Sequence, residues 1–220
     1  MFIREYPESD GYKVWLDTEE VELFLDQARD QEQKIAFLLM VRSGLRSSEV
    51  IDVRPKDVVE TEAGPRVYVY DGKGGKDRQT IATAELLSIS ETVVDYGGCE
   101  PDEPFVETNH TRTIRRWVDR AASRLQEATG DPGWEYLSPH DLRGTWATEL
   151  AQTHDVDPIL VCEWGGWEDL ETFLEHYRGA YSPDVQRREL SKVPWMNVQS
   201  SSKSVGLGEV VETPASRMIR

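Results

Sequence analysis

The fold of this chain is best approached from one stretch, Ser138-Pro139-His140-Asp141-Leu142-Arg143-Gly144-Thr145-Trp146-Ala147-Thr148. Ser138 is a typical helix N-cap and Pro139 suits the first helical position, so a helix is predicted to begin here. His140 and Arg143 are one turn apart and share a face of that helix. The free N–H groups and the dipole of a helix start favour anions, so this pair suits a phosphate oxygen. A capped helix with a surface histidine and a salt-bridged arginine explains the stretch by itself equally well.

Length and composition bound the class of protein. The chain has 220 residues, 38% of them hydrophobic, which is enough for one large domain or two small ones with a core. It contains no apolar run long enough for a transmembrane helix, and its first residues lack the apolar segment of a signal peptide. Cys99 and Cys162 fit no metal-ligand spacing and no disulfide framework. We therefore expect a cytoplasmic protein with no membrane partner and no metal or other cofactor.

The charge balance is strongly acidic. Acidic residues number 41 and basic residues 25, which gives a net charge of −16 and by itself argues against a nucleic-acid partner. The basic residues comprise 18 arginines and only 7 lysines. An acidic surface poor in lysine keeps a protein hydrated in concentrated salt, so a halophilic source is predicted. Molar salt screens charges within about 3 Å, and local arginine clusters are then a better guide to DNA binding than net charge.

The pattern of apolar residues predicts a mainly helical domain with one small β-hairpin. Residues 1–15 show no periodicity and are predicted to be a linker or a tail. Two β-rich runs flank the glycine-rich segment Asp71–Lys76 and predict the hairpin. The domain is expected to span residues 16–194, and residues 195–220 a flexible tail. Helices are predicted at about 17–28, 31–41, 45–50, 84–96, 111–128, 138–148, 157–164, 169–177 and 182–193.

Two basic residues outside the opening stretch lie at breaks in the pattern. Arg46 is predicted at a helix junction beside Gly44, where pairing with Glu49 three residues later is the simple alternative. Lys73 lies near the tip of the predicted hairpin, from which it can swing toward a ligand. A charged turn that keeps the hairpin soluble is the alternative. The turn lacks the spacing and the strand-to-helix context of a nucleotide P-loop.

A basic stripe is predicted on the helix at 111–128. Arg112, Arg116 and Arg120 recur every four residues and share one face, with Arg115 beside them. In an otherwise acidic protein such a stripe is typical of phosphate contacts. A solvated face paired with acidic residues of the same helix is the alternative.

Five motifs resemble, in order and spacing, the catalytic domain of the tyrosine recombinases, the phage-integrase and Xer/Cre-like family. Each motif alone is a weak signal, but the set of five in one order is specific. The resemblance covers roughly residues 16–190. The motifs are the first-arginine motif at Ser43–Glu49, the hairpin lysine motif at Gly72–Arg78, the His-x-x-Arg box at His140–Arg143, Gly165-Gly166-Trp167 where the family usually has Leu-Gly-His, and the segment Leu170–Tyr177 that ends in the nucleophile.

The resemblance implies a DNA breaking–rejoining fold and a site-specific recombinase or integrase. Tyr177 would attack a DNA phosphate and form a 3′-phosphotyrosine, releasing a 5′-hydroxyl. Arg46 and Arg143 would stabilise charge on the nonbridging oxygens, and Lys73 would protonate the leaving 5′ oxygen. Double-stranded DNA held by a homotetramer is the implied partner. Together with the acidic composition, the resemblance points to a halophilic archaeon or its virus as the source.

Other residues complete the implied site. His140 would assist proton transfer at the tyrosine or hydrogen-bond the phosphate. Trp167 would orient its partner through the indole N–H, since that group cannot titrate. No metal is implied, because the two arginines supply the positive charge. DNA contacts are predicted at Lys76 and Arg78 in the hairpin and at Arg112, Arg115 and Arg116.

Alternatives remain open at this level. Tyr181 could be the nucleophile, although the ten-residue distance from Trp167 favours Tyr177. The N-terminal helical domain usual in the family is expected to be absent, so a partner would supply the second half of a DNA clamp. A catalytically weak DNA-binding relic or regulator is the second functional hypothesis. An acidic interaction protein that binds no DNA is the third.

Overall fold

The computed structural model describes residues 1–5, 11–72, 75–177 and 183–193, with the backbone alone at positions 71, 172, 175–177 and 183–186. The chain divides into two compact units, residues 1–181 and 182–220. The first unit holds α1 (Thr18–Leu25), α2 (Gln31–Val41), α3 (Ser47–Val50), α4 (Ala84–Asp95), α5 (Thr111–Thr129), α6 (Pro139–Thr148), α7 (Pro158–Gly165) and α8 (Leu170–Tyr177), and the strands β1 (Phe2–Glu5), β2 (Tyr12–Trp15), β3 (Val58–Val59), β4 (Arg66–Gly72) and β5 (Lys76–Ile81).

The predicted helix starts are confirmed by their caps. Asp17 accepts a hydrogen bond from the backbone N–H of Glu20 at 2.9 Å, and the Glu20 carboxylate accepts the N–H of Asp17, which forms a reciprocal cap for α1. Asp30 caps α2 by accepting the N–H of Gln33 at 2.8 Å. These polar caps leave the following apolar residues free to face the core, as their spacing predicted.

Helix α2 is the centre of the main core. Its seven residues from 35 to 41 are all buried, so this helix is covered on every side. Helix α5 has the opposite character, because one face is apolar and the other carries the arginines. Ile114, Val118 and Leu125 bury the apolar face of α5. The fold is therefore helical layers around α2, with the basic face of α5 turned outward.

The first fifteen residues differ from the predicted linker or tail. Strands β1 and β2 form an antiparallel pair in which Phe2 is opposite Trp15. Val14 and Trp15 are buried, and Ile3 packs on the main core. Four-residue strands are too short for a period of two to stand out in the sequence, which is why this pair escaped prediction.

The predicted hairpin is confirmed as β4 and β5, which pair antiparallel with Tyr68 opposite Gln79. The two-residue strand β3 adds a third, unpredicted member at the other edge of β4. The turn residues 73 and 74 lie outside the described residues. Tyr70 on β4 is exposed, so this face of the sheet is open to solvent.

A second, smaller core lies under the C-terminal helices of the first unit. Trp146, Val161 and Phe173 form it, on α6, α7 and α8 respectively. One π-helical turn, Glu149–Thr153, follows α6 before the chain enters α7. The mainly helical fold class with a small antiparallel sheet, as the sequence predicted, is therefore confirmed.

The second unit is described only in part. Its helix α9 (Pro183–Ser191) begins at the predicted Pro183. The predicted tail at 195–220 and the alternative nucleophile Tyr181 lie outside the described residues. Among the helices that are described, none is long and apolar enough to cross a membrane.

Candidate active site

Arg143 is a buried arginine held by backbone carbonyls. Its side chain is on the second turn of α6, and the residue is only 2% exposed. The guanidinium donates to the carbonyl of Gly44 and, at 2.7 Å, to that of Gly165. A buried guanidinium needs such acceptors, because leaving it without hydrogen bonds costs several kcal/mol. These two bonds fix the plane of a permanent positive charge beneath the surface.

Arg46 lies two residues after Gly44, the residue whose carbonyl bonds to Arg143. It is the N-cap of α3, with the extended backbone expected at a helix junction. The helix predicted at 45–50 is therefore shorter in the structure, where it begins at Ser47. The Arg46 guanidinium donates to the carbonyl of Gly166 at 3.2 Å, one peptide unit after the carbonyl that holds Arg143. The two arginines thus bond to consecutive residues, Gly165 and Gly166, which we call the glycine pair.

Glu49 joins Arg46 to the hairpin. Its carboxylate accepts from Arg46 at 2.8 Å and from both terminal nitrogens of Arg78, at 2.7 and 2.8 Å. Burial alone would raise the pKa of Glu49, but hydrogen bonds and charge from Arg78 and then Arg46 outweigh it and hold the pKa at about 2. Arg78 also donates to the carbonyl of Trp164 at 2.9 Å. The carboxylate is therefore ionised at any pH above about 3 and ties three segments together.

The ion pair at Glu49 gives a first prediction. Glu49→Gln is expected to lower the free energy of unfolding at pH 7 by roughly 3 kcal/mol, because two arginines lose their buried counter-charge. The folded pKa of about 2 lies below the ordinary value of 4.5, so this contribution is present above pH 4.5 and is lost as pH falls toward 2. The difference in the free energy of unfolding between wild type and Glu49→Gln should therefore decrease as pH falls from 4.5 toward 2. Urea unfolding followed by tryptophan fluorescence at several pH values measures it.

Glu85→Gln is the matched control for this prediction. Glu85 pairs with Lys34 at 3.2 Å on the surface, with half of its side chain exposed. Such a pair contributes at most about 1 kcal/mol. An equal loss of stability in both variants would show that Glu49 is an ordinary surface charge.

Trp167 covers the guanidinium of Arg143. The centre of the guanidinium lies 3.8 Å from the centroid of the indole ring, a cation–π contact. The ring is parallel to Trp146 at 6.3 Å and meets the edge of Phe173 at 5.1 Å. The sequence predicted an orienting role through the indole N–H, whereas the structure adds orientation through the ring face.

The glycine pair is shaped by these close approaches. A Cβ at Gly165 would lie 1.7 Å from the Trp167 ring, which excludes any side chain there without rearrangement. Gly166 has φ +66°, a conformation that glycine adopts at little cost, and ends α7 as its C-cap. Gly44, with φ +71°, is packed in the same way against Trp146. Close backbone approach therefore brings the carbonyls within reach of the arginines.

The helix that carries His140 is bonded to strand β2 and to the residue that follows it. The N–H of Val14 donates to Asp141 and the N–H of Leu16 to Thr145, both at 3.1 Å. Asp141 also accepts the backbone N–H of Ser138 at 2.9 Å, which completes the predicted cap. His140 is exposed on the first turn of α6, on the wall of a small cavity shared with Arg143 and Trp167.

Four of the six predicted catalytic residues are therefore brought together by the structure, Arg46, His140, Arg143 and Trp167. Lys73 lies outside the described residues, although its neighbour Gly72 is beside Arg78 and Glu49. Position 177 ends α8, one turn after Phe173, and its side chain is not described.

The predicted DNA contacts fall into two groups. Lys76 is exposed on the hairpin, and Arg112, Arg115 and Arg116 are exposed on α5. Among the described residues these three arginines form no ion pair, so the alternative of a face paired with acids of the same helix finds no support there. Arg78 is different, because only 9% of its side chain is exposed and Glu49 and Trp164 engage it.

Sequence reasoning missed the residues that hold the site. Glu49 was seen only as a partner of Arg46, and the carbonyls of Gly44, Gly165 and Gly166 were not considered. The glycine-rich spacing around the two arginines was the available signal, because glycine permits close backbone approach.

The chain is similar to known proteins in sequence. Residues 14–182 match the phage integrase family, and the chain belongs to that family. It is 28% identical to a tyrosine recombinase of Thermosipho africanus over 67% of this chain and 50% of the relative. It is 27% identical to tyrosine recombinase XerA of Pyrococcus horikoshii over 71% of this chain and 54% of the relative. The chain thus spans about half the length of these relatives.

Solved structures share the fold. A crystal structure of XerA recombinase superposes with a TM-score of 0.64 at 20% identity, over 81% of this chain and 64% of that one. XerH site-specific recombinase bound to the palindromic difH substrate, a post-cleavage complex, gives a TM-score of 0.60 at 22% identity, over 83% and 53% of the two chains. At these identities the likeness concerns the fold of the domain.

Proposed function

We propose that this chain cuts and rejoins DNA at specific sites through a 3′-phosphotyrosine intermediate, as a tyrosine site-specific recombinase or integrase. The observation that carries the proposal is the convergence of Arg46 and Arg143 on the carbonyls of Gly165 and Gly166. Two fixed guanidiniums at one place suit the doubly charged transition state of a transferring phosphate. Membership of the phage integrase family supports the same activity.

The reaction follows from the chemistry of the residues. The Tyr177 oxygen attacks the phosphorus and loses its proton, while the bond from phosphorus to the 5′ oxygen breaks. Lys73 gives a proton to that leaving oxygen, which departs as a 5′-hydroxyl. His140 assists proton transfer at the tyrosine or donates to the phosphate. Attack of another 5′-hydroxyl on the phosphotyrosine reverses the steps, so joining needs no ATP and no metal or other cofactor.

The held arginines explain how charge is stabilised without reorganisation. A guanidinium has five N–H donors, and a bidentate phosphate contact uses two of them. The bonds of Arg143 to the carbonyls of Gly44 and Gly165 fix its plane before DNA arrives. Trp167 holds the same plane from its ring face. Preorganised donors of this kind contribute more than mobile ones, because they do not have to be ordered during the reaction.

Double-stranded DNA is the proposed substrate. We assign its phosphate contacts to the exposed residues Lys76, Arg112, Arg115 and Arg116. We assign Arg78 the task of positioning the hairpin instead, because its guanidinium is engaged by Glu49 and Trp164. The active assembly is proposed to be a homotetramer on DNA.

The setting of the protein is also a proposal. Acidic residues exceed basic ones by 41 to 25, and this balance supports a halophilic archaeon or its virus as the source. A DNA substrate supports action in the cytoplasm. We assign residues 16–194 to the catalytic domain, with strand β2 bonded to it through Val14 and Asp141.

Covalent capture tests the proposed function. The full chain is incubated with a pool of nicked duplexes of randomised sequence, from which the cleaved piece dissociates so that the phosphotyrosine cannot be reversed. Adducts that survive denaturation are isolated, the attached DNA is sequenced, and the modified peptide is mapped by mass spectrometry. The expected result is one DNA sequence family attached at Tyr177. Salt-dependent DNA binding without any adduct would favour the relic or regulator instead.

Lys73 gives a prediction that isolates one step. Lys73→Ala is expected to cleave normal DNA at least about a hundredfold more slowly and to approach wild type on a 5′-bridging phosphorothioate. Sulfur leaves without a proton, since the pKa of a thiol is near 8.5 and that of an alcohol is several units higher. Single-turnover cleavage of both substrates measures the effect. Lys76→Ala is the matched control and should weaken binding alone.

If Lys73→Ala stays equally slow with the bridging sulfur, Lys73 is a phosphate contact and another group protonates the leaving oxygen. Arg143→Ala should remain slow on both substrates, because its task lies at the nonbridging oxygens.

A further inference from the structure

An open groove of about 960 Å³ runs alongside the candidate active site. Its walls are the outer face of β4 and β5 on one side and the end of α7 with the following loop on the other. Its size suits a ligand as large as one nucleotide. A duplex is too wide to enter the groove and would lie across its open side, whereas a single unpaired nucleotide fits inside.

The groove is lined by aromatic side chains on a very polar protein. Tyr70 is 51% exposed, and its ring is within 6.3 Å of the Tyr68 ring at an angle of 15°. Trp164 lies on the opposite wall, under the guanidinium of Arg66 at 5.4 Å. An exposed aromatic ring such as that of Tyr70 is typical of surfaces on which nucleic-acid bases stack.

Charged side chains of both signs line the groove. Its cationic residues include Arg46, Arg66 and Lys76, and its carboxylates are Asp77, Glu163 and Glu168. Carboxylates repel the sugar–phosphate backbone but accept hydrogen bonds from the amino groups of bases. With its phosphate at Arg46, a nucleotide would place its base in the groove, where carboxylates can accept from the amino groups of the base.

The groove shares residues with the candidate active site. Arg46, Gly166 and Trp167 line the groove. In the candidate active site, Gly166 accepts a hydrogen bond from Arg46, and Trp167 covers Arg143. Cleavage separates the phosphate from the strand that ends in a 5′-hydroxyl. The terminal nucleotide of that strand is then joined to DNA on one side only, which makes it the unit of DNA that can leave the stack most easily.

We infer that this groove receives the base of the terminal nucleotide of the released 5′-hydroxyl strand, with Tyr70 as its stacking partner. The inference rests on the proposed function and adds a subsite that acts only after cleavage. Base stacking on Tyr70 offsets the loss of stacking within the duplex. The cleaved state is thereby stabilised and the 5′-hydroxyl is kept from immediate religation.

The test compares Tyr70→Ala with wild type on an unnicked duplex of the sequence recovered by covalent capture. The expected result is at least about a fivefold lower equilibrium ratio of covalent to free DNA, because religation is no longer opposed. On the nicked substrate, where the released piece dissociates, the initial rate of capture should be within about twofold of wild type. Tyr70→Phe keeps the ring and should behave as wild type in both assays.

Tyr96→Ala is the matched control, since Tyr96 is 86% exposed at the end of α4 and does not line the groove. A second measurement removes the base instead of the side chain. An abasic residue at the 5′-hydroxyl terminus should lower the covalent ratio in wild type by the same factor and have no further effect in Tyr70→Ala. Such non-additivity identifies the two changes as one lost contact.

The outcomes separate the inference from the function on which it rests. Absence of adduct in wild type on the nicked substrate would overturn the proposed function. Normal capture with equal covalent ratios in Tyr70→Ala and Tyr96→Ala, or additive effects of the abasic residue, would overturn the groove alone. A loss of duplex binding in Tyr70→Ala would also overturn it, because the groove would then hold uncut DNA.

Discussion

Tyr177→Phe is expected to abolish covalent attachment to DNA, with no adduct detectable where wild type converts a nicked duplex. The change removes the attacking oxygen and retains the ring, so DNA binding should stay within about twofold. Helix α8 ends at residue 177. One turn earlier on this helix, Phe173 packs against Trp167, the residue that covers Arg143. Denaturing gels of the trapped complex measure the loss, and a binding assay on the intact duplex measures the retained affinity.

Tyr181→Phe provides the control, because the same single oxygen is removed four residues later. It should give adduct at the wild-type level. The reverse pattern, with full adduct in Tyr177→Phe and none in Tyr181→Phe, would assign the nucleophile to Tyr181.

Arg143→Lys is expected to lower the rate of strand cleavage at least about a hundredfold, the scale found when one donor to a developing oxyanion is removed. Lysine keeps the charge but loses the planar fork that spans two phosphate oxygens. It also cannot hold the carbonyls of Gly44 and Gly165 together or stack flat on Trp167. Single-turnover cleavage at saturating protein separates this effect on chemistry from any effect on binding.

Arg42→Lys is a suitable comparison, since Arg42 bonds to Glu149 at 3.0 Å, outside the site. It should cleave at a rate within about threefold of wild type. A rate close to wild type in Arg143→Lys would contradict the bidentate role and leave only a requirement for positive charge.

Local signals predicted most of the fold. The cap at Asp17, the bonds between Ser138 and Asp141 and the apolar spacing after them act within a few residues, so the sequence alone locates α1 and α6. Strand β2 was missed because one of the contacts that holds it, the bond from Val14 to Asp141, joins residues more than a hundred positions apart. Distant contacts of that kind leave no periodic trace in a four-residue strand.

The sequence predicted four residues that the structure brings together, but it did not predict the contacts between them. Arg46 and Arg143 followed from motif order, whereas the shared anchor at Gly165 and Gly166 depends on how α7 ends in three dimensions. The chemistry of Trp167 was predicted from its indole N–H, a property of the isolated residue. Its contact with Arg143 depends on the packing of three helices.

The glycine pair at the end of α7 makes the two arginines mechanically dependent on each other. Their acceptors are the carbonyls of Gly165 and Gly166, which belong to consecutive peptide units. A rotation of this backbone would remove one acceptor from each guanidinium at the same time, while the bonds of Arg143 to Gly44 and of Arg46 to Glu49 remain, so the two positive charges would shift together.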